Sequence, residues 1–161
     1  MATPELSLRE VTLEDAKLLF DWANDPDTRR HSFSSGAIEW REHRHWLQDK
    51  LHDPLCRFYI VEHAGAPVGQ VRFDLKSVDA AAVISISLDP KRRGEGLGTA
   101  AICAGVARLR QDTDVVVIHA FIKQTNAASL RVFQKAGFRD LRAKPDAQVA
   151  RLSLELMPAP R

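Results

Sequence analysis

Apolar residues change their spacing several times along this chain, and each change marks an element. From Leu6 to Val11 they alternate with polar residues, which predicts a first strand. Thr12-Leu13-Glu14-Asp15 then has the character of a helix start capped by Thr12. Ala16, Leu19, Phe20 and Ala23 share one helical face, and the pattern stops at Asn24-Asp25-Pro26. Asp27 to Gly36 is polar, basic and without period, so it reads as a loop, either a connector or a lid facing a substrate. Ile38 to Lys50 returns to helical spacing, with Trp40, His43, Trp46 and Leu47 three and four residues apart. Arg57 to Val61 and Val68 to Leu75 alternate on either side of His63-Ala64-Gly65-Ala66-Pro67, the pattern of a hairpin. In its second strand Gln70, Arg72 and Asp74 lie on a polar face, and Val71, Phe73 and Leu75 on an apolar one.

The second half repeats this punctuation. Val83, Ile84, Ile86 and Leu88 form a short apolar strand that Asp89-Pro90 ends, because proline lacks a ladder donor and biases the residue before it away from helix. Lys91, Arg92 and Arg93 lead into Gly94, Gly96 and Gly98, after which a helix runs to about Arg110. Val115 to Lys123 reads as a strand, and Asn126 caps a helix bearing Leu130 and Phe133 on one face. Phe138 to Arg142 and Gln148 to Met157 alternate as two closing strands, before the tail Pro158-Ala159-Pro160-Arg161. The predicted order is β-α-α-β-β-β-α-β-α-β-β.

Composition narrows the class without deciding it. A chain of 161 residues with 45% hydrophobic and 27% charged residues suits one globular domain spanning 1–161, and no apolar run approaches the length of a membrane span. Met1 to Glu10 contains no signal-peptide core, so a cytoplasmic location is expected. A net charge of +2 gives little support for a nucleic-acid partner. Cys56 and Cys103 are isolated, and the histidines around His43-Arg44-His45 match no metal-ligand spacing, so no metal is expected.

The glycine run carries the chemistry. Without Cβ atoms the backbone can approach a ligand closely, and the first amides of the helix that follows point outward with the positive end of its dipole. Such a place suits a phosphate or pyrophosphate. Gly94-Glu95-Gly96-Leu97-Gly98-Thr99 fits neither the dinucleotide fingerprint nor the P-loop. Arg93-Gly94-Glu95-Gly96-Leu97-Gly98 instead resembles the Q/R-x-x-G-x-G/A pyrophosphate loop of the GCN5-related N-acetyltransferases, the GNAT superfamily. Asn126 to Phe138, an asparagine-capped helix ending in an aromatic and then Gly-Phe, resembles that superfamily's next motif. The resemblance implies an α+β fold: a central mixed, mostly antiparallel sheet of about seven strands, splayed at the fourth and fifth and flanked by about four helices. It also implies acetyl-CoA as co-substrate, held by amides from Arg93, Gly94, Gly96, Leu97, Gly98 and Thr99. Ser87 and Leu88 on the central strand would meet the pantetheine and thioester, and Asn126, Ser129 and Phe133 the rest of the arm.

The chain also departs from that superfamily's pattern. In ribosomal-protein N-terminal acetyltransferases the helix aromatic is a tyrosine acting as acid and the preceding strand carries a glutamate base, whereas Phe133 and Phe121 stand here and neither moves a proton. The candidate bases are therefore His43, placed first, His31, Glu39 and Asp74, or water passing Ser85 and Ser87. In the front half, Asn24-Asp25-Pro26, Arg30-His31-Ser32-Phe33, His43-Arg44-His45-Trp46, Phe58-Tyr59-Ile60 and Gly69-Gln70-Val71-Arg72-Phe73 resemble the subgroup that acetylates the 4-amino group of UDP-linked amino sugars in pseudaminic-acid and flagellin-glycan pathways. That likeness implies a small-molecule amine as acceptor, a nucleotide amino sugar, contacted by Arg30, Ser32 and Arg72. A peptide N-terminal acetyltransferase and a non-catalytic acyl-CoA-binding module are the competing readings, and a homodimer is left open.

Overall fold

Six strands follow one another across a single sheet in chain order. In the computed structural model, which describes residues 4–141 and 147–156, they are β1 (Leu6–Glu10), β2 (Cys56–His63), β3 (Ala66–Leu75), β4 (Ala81–Leu88), β5 (Val117–Lys123) and β6 (Val149–Glu155). Neighbours are antiparallel except β4 and β5. A parallel pair needs a crossover, and α4 (Leu97–Asp112) supplies it.

Helices cover both faces. Alternation along β3 sends Val71 and Phe73 to the face packed by Ala101, Ile102, Val106 and Leu109 of α4 and by Phe133 of α5 (Ala127–Lys135). Phe58 and Ile60 of β2 point the other way, against Leu19 and Trp22 of α1 (Ala16–Ala23) and Leu47 of α3 (Trp40–His52). A turn of 3-10 helix, Leu13–Asp15, starts α1, and the Asp15 carboxylate accepts from the Thr12 amide at 2.9 Å.

Two features differ from the sequence expectation. Asp27 to Gly36 is not all loop: Pro26–His31 forms a short helix, α2, with Asp25 as N-cap accepting from the Thr28 amide at 3.1 Å, Pro26 in the first turn, and Arg29, Arg30 and His31 in the last. Capping and dipole signals hold it, with no buried residue to give it a period. Among the described residues the α-helices thus number five, against about four expected. The strand expected over Phe138 to Arg142 is a single two-way bridge between Arg139 and Ser153, so the sheet has six strands among the described residues, close to the about seven expected. Phe138 turns into the core edge-on to Phe133 while Leu141 stays exposed, which leaves no alternating face to propagate; Arg142 lies outside the described residues.

Candidate active site

The parallel pair is short. β4 and β5 are in register only over Ala81–Val83 and Val117–His119, and beyond Val83 β4 is paired on its β3 side alone. The strands diverge there, and unpaired backbone donors and acceptors of β4 face a cleft of about 520 Å³. Its walls are Ser85 to Leu88 of β4, Ala120 to Lys123 of β5, the glycine loop and α5.

The glycine loop shapes one end. Gly94 and Gly96 have φ of 81° and 74°, a region that only glycine adopts freely, and a Cβ on either would meet nothing within 4 Å. The space beside them is open, and Gly96 is the N-cap of α4, whose first residues Leu97, Gly98 and Thr99 line the cleft with no side chain capping them. Gly98 serves another purpose. A Cβ there would lie 2.9 Å from Cγ1 of Val132, so this glycine lets α5 approach α4. Arg93, Lys123, Arg131 and Lys135 line this cleft against the carboxylate of Asp27, which makes it cationic.

All eleven residues expected to hold the cofactor line this one cleft: Ser87, Leu88, Arg93, Gly94, Gly96, Leu97, Gly98, Thr99, Asn126, Ser129 and Phe133. Asn126 also caps α5, its Oδ1 accepting from the Ser129 amide at 3.2 Å. Arg93 has a further task. Its guanidinium donates to Asp25 at 2.9 Å and to Thr28 Oγ1 at 3.0 Å, tying α2 to the glycine loop. Burial pushes the Asp25 carboxyl up, but the Arg93 and Thr28 hydrogen bonds outweigh it and hold the group below its ordinary value.

A second cleft, of about 490 Å³, shares Thr28, Ser32, Ser85, Ile86 and Ser87 with the first. It lies between α1, α2 and α3 and the polar face of β3. Two cross-strand pairs form its floor. Gln70 Nε2 donates to Ser87 Oγ at 2.9 Å, and Arg72 donates to Ser85 Oγ at 3.3 Å. The Arg72 guanidinium is fixed from three sides: it stacks 5.1 Å from Trp46 and 5.7 Å from Phe58, and donates to Asp74 at 3.1 Å. The two serines therefore face both clefts at the point where the strands part.

His43 also lines the second cleft, but its ring is only 4% exposed, packed among Phe20, Trp40 and Trp46. Its Nε2 lies 3.0 Å from the Ala16 carbonyl, which only accepts, so Nε2 carries the proton and Nδ1 is the basic nitrogen. Burial pushes the His43 pKa down against that hydrogen bond, so the ring is neutral at pH 7. The other candidates are spread out. His31 lines the first cleft, Glu39 precedes α3 and lines neither, and Asp74 is held below its ordinary value by Lys50 and Arg72 despite its burial.

Of the three expected substrate residues, Ser32 and Arg72 line the second cleft and Arg30 does not. Arg30 is exposed and paired with Asp27 one turn back. Its neighbour Arg29 lines the cleft instead, as does Glu42. Ile38, Glu42 and Trp46 recur at four-residue spacing along the cleft wall, the signal in the sequence that could have found Glu42.

A family model described as Acetyltransferase (GNAT) domain matches residues 5–139. The chain belongs to the GNAT acetyltransferase family. Two mycothiol acetyltransferases resemble it in sequence: that of Thermobispora bispora is 33% identical over 98 residues, and that of Sanguibacter keddieii 37% over 71. These matches take in 56% and 44% of this chain but only 32% and 22% of the relatives, so this chain spans under a third of either by match. The fold is shared with spermidine N-acetyltransferase from Vibrio cholerae in complex with CoA and spermine, at a TM-score of 0.84 and 17% identity over 93% of this chain and 95% of that one. The aminoglycoside acetyltransferase AAC(6')-Ib in complex with coenzyme A has a TM-score of 0.80 at 21% identity, covering 94% and 95% of the two chains. The splayed sheet of this chain is thus the GNAT sheet.

Proposed function

We propose that this GNAT chain is an acetyl-CoA-dependent N-acetyltransferase, and that its acceptor is a small primary amine, the 4-amino group of a nucleotide-linked amino sugar. One observation carries the reading: the cleft opened by the β4–β5 splay runs from a glycine-walled helix N-terminus to Ser85 and Ser87, where a second cleft meets it. The fit to the co-substrate rests on the open space at Gly94 and Gly96, the outward amides of α4 and the cationic lining. Amides from Arg93 to Thr99 hold the pyrophosphate, the free edge of β4 pairs with the pantetheine, and Asn126, Ser129 and Phe133 wall the arm. Bound acetyl-CoA supplies an acetyl thioester at the junction of the clefts.

The acceptor amine forms a bond to the thioester carbonyl carbon, the carbon–sulfur bond breaks, CoA leaves as its thiolate and the amine gives up a proton. An N–H on the free edge of β4 faces the developing oxyanion. Phe121, 43% exposed in the cleft, and the buried Phe133 take no proton, so the acid and base of ribosomal-protein acetyltransferases have no counterpart at these positions. Two residues of α3 line the acceptor cleft and carry a group able to accept the proton: His43 with Nδ1, and Glu42 with its carboxylate. The amino-sugar acceptor is supported by the front-half residue pattern and by an acceptor cleft that combines Trp46 and Phe58 with two guanidiniums.

Release of CoA thiol from acetyl-CoA, followed with a panel of nucleotide amino sugars, peptides and polyamines, tests the reading. Turnover with the sugars and little with the others is the expected result. Consumption of peptides alone would overturn the acceptor, and acetyl-CoA binding without turnover of any amine would turn the chain into a binding module. The pH dependence of kcat/KM in Glu42→Gln and His43→Gln variants separates the two proton acceptors, because only loss of the true base flattens the acidic limb.

A further inference from the structure

Among the described residues two buried side-chain polar atoms have no hydrogen-bond partner, Arg29 Nε and Gln70 Oε1, and both belong to residues lining the second cleft. More than nine in ten buried polar groups in folded proteins are paired, so two exceptions in one cleft call for a ligand-based account. They are of opposite kind: Nε–H needs an acceptor and Oε1 needs a donor.

Charge points the same way. Arg72 is matched by Asp74 at 3.1 Å. Arg29 has only neutral partners among the described residues, donating to the carbonyls of Ser34 at 2.9 Å and Gly36 at 3.1 Å and to Ser32 Oγ at 2.9 Å. It is half-buried at a wall of the cleft that Glu42 also lines, and no carboxylate lies within ion-pair distance of it among the described residues. Gln70 lines the same cleft, bonded to the Ser87 that both clefts share.

We infer that Arg29 and Gln70 select an acceptor that carries an oxyanion as well as its amine, with the oxyanion drawn to the Arg29 guanidinium and an amine N–H donated to Gln70 Oε1. Arg29 is then the specificity-determining cation, the role its neighbour Arg30 cannot fill from outside the cleft. A polycation is disfavoured, because its second ammonium would meet Arg29. The inference rests on the second cleft being the acceptor site of the transferase, and it deepens that reading by naming the charge the acceptor must bear.

The test uses matched pairs of amines that differ in one anion: glucosamine against glucosamine 6-phosphate, and 4-aminobutanol against 4-aminobutanoate, with spermidine as the polycation. The phosphate and carboxylate arms show which oxyanion is read. Wild-type kcat/KM is expected to favour an anionic member by roughly tenfold at low salt, with the preference shrinking as ionic strength rises. Arg29→Gln should collapse the ratio towards one, and Arg29→Lys should restore part of it. A structural role for Arg29 would lower both members of a pair together and leave the ratio intact, which would overturn the inference; so would a wild-type ratio near one, or spermidine as the best acceptor. The same pairs are also measured by equilibrium binding through isothermal titration calorimetry. Anion-selective binding without turnover would uphold Arg29 and overturn the transferase, whereas turnover without anion preference would do the reverse.

Discussion

The contact between Gly98 and Val132 gives a quantitative handle on how the first cleft, the proposed acetyl-CoA site, is built. Gly98→Ala places a Cβ 2.9 Å from Val132 Cγ1 and 3.4 Å from Cγ2, against a comfortable carbon–carbon separation of about 3.5–4.0 Å. Val132 is β-branched and sits on a helix, so it has no second rotamer to retreat into, and α5 must shift by about half an ångström. Overpacking of this kind costs about 1–3 kcal/mol, and the gain from replacing a helical glycine returns about 0.4–1 kcal/mol, for a net loss of about 1–2 kcal/mol. Val132→Ala removes the obstructing methyls at a cost of about 1 kcal/mol for a half-buried side chain. In the double variant the clash is absent, so the two losses must not add: a coupling of about 1–2 kcal/mol is expected. Urea denaturation of the four proteins measures it, and acetyl-CoA affinity should fall in Gly98→Ala and return in the double variant because the cleft lies between these helices. Losses that add within about 0.4 kcal/mol would refute the argument that Gly98 is there for helix approach.

Two further perturbations follow from buried ionisable groups. Asp15 accepts from both Arg9 Nη atoms, at 2.9 and 2.8 Å, and from the Thr12 amide, so Asp15→Asn should cost about 1–3 kcal/mol in denaturation. Burial pushes that carboxyl up, but the Arg9 and Thr12 bonds prevail and set it below its ordinary 3.8; the stability it contributes is present above that value and is lost as pH falls below it, a loss absent from Asp15→Asn. His43 has the opposite chemistry and the same direction in pH. Its folded pKa lies below 6.5, so the unfolded chain takes up a proton first and stability declines as pH drops below about 6.5. His119, also lowered by burial, adds to this slope, and His43→Gln should reduce the slope without abolishing it; an unchanged slope in thermal melts between pH 7 and 5.5 would contradict the burial assigned to His43.

That the glycine loop and the start of α5 line one cleft was legible in the sequence because their signals are local. Arg93 to Thr99 and Asn126 to Ser129 are a turn and two helix starts, whose geometry is fixed by glycine and by capping within a few residues. The lining of the second cleft depends on which residue of a helix faces the sheet, and that is set by contacts far along the chain. Arg29 and Arg30 are adjacent and chemically alike, yet one lines the cleft and the other pairs with Asp27 outside it. Glu42 and Glu39 differ in the same way. No apolar period announced α2, since it buries no residue, and Arg131 and Lys135 were invisible until the splay of β5 gave α5 a cleft to face. The strand read at Phe138 failed for a related reason, because one buried aromatic closing a helix mimics the start of an alternating run.

A calorimetric titration with acetyl-CoA of the wild-type chain and of Gly96→Val tests the central claim most directly. At Gly96 an added Cβ meets nothing within 4 Å but φ is 74°, so a β-branched residue acts by straining the turn that leads into α4. The account predicts saturable one-to-one binding in the wild type and its loss in the variant with the circular-dichroism spectrum retained. Absence of saturable binding in the wild type, or unchanged affinity in a folded Gly96→Val, would contradict it.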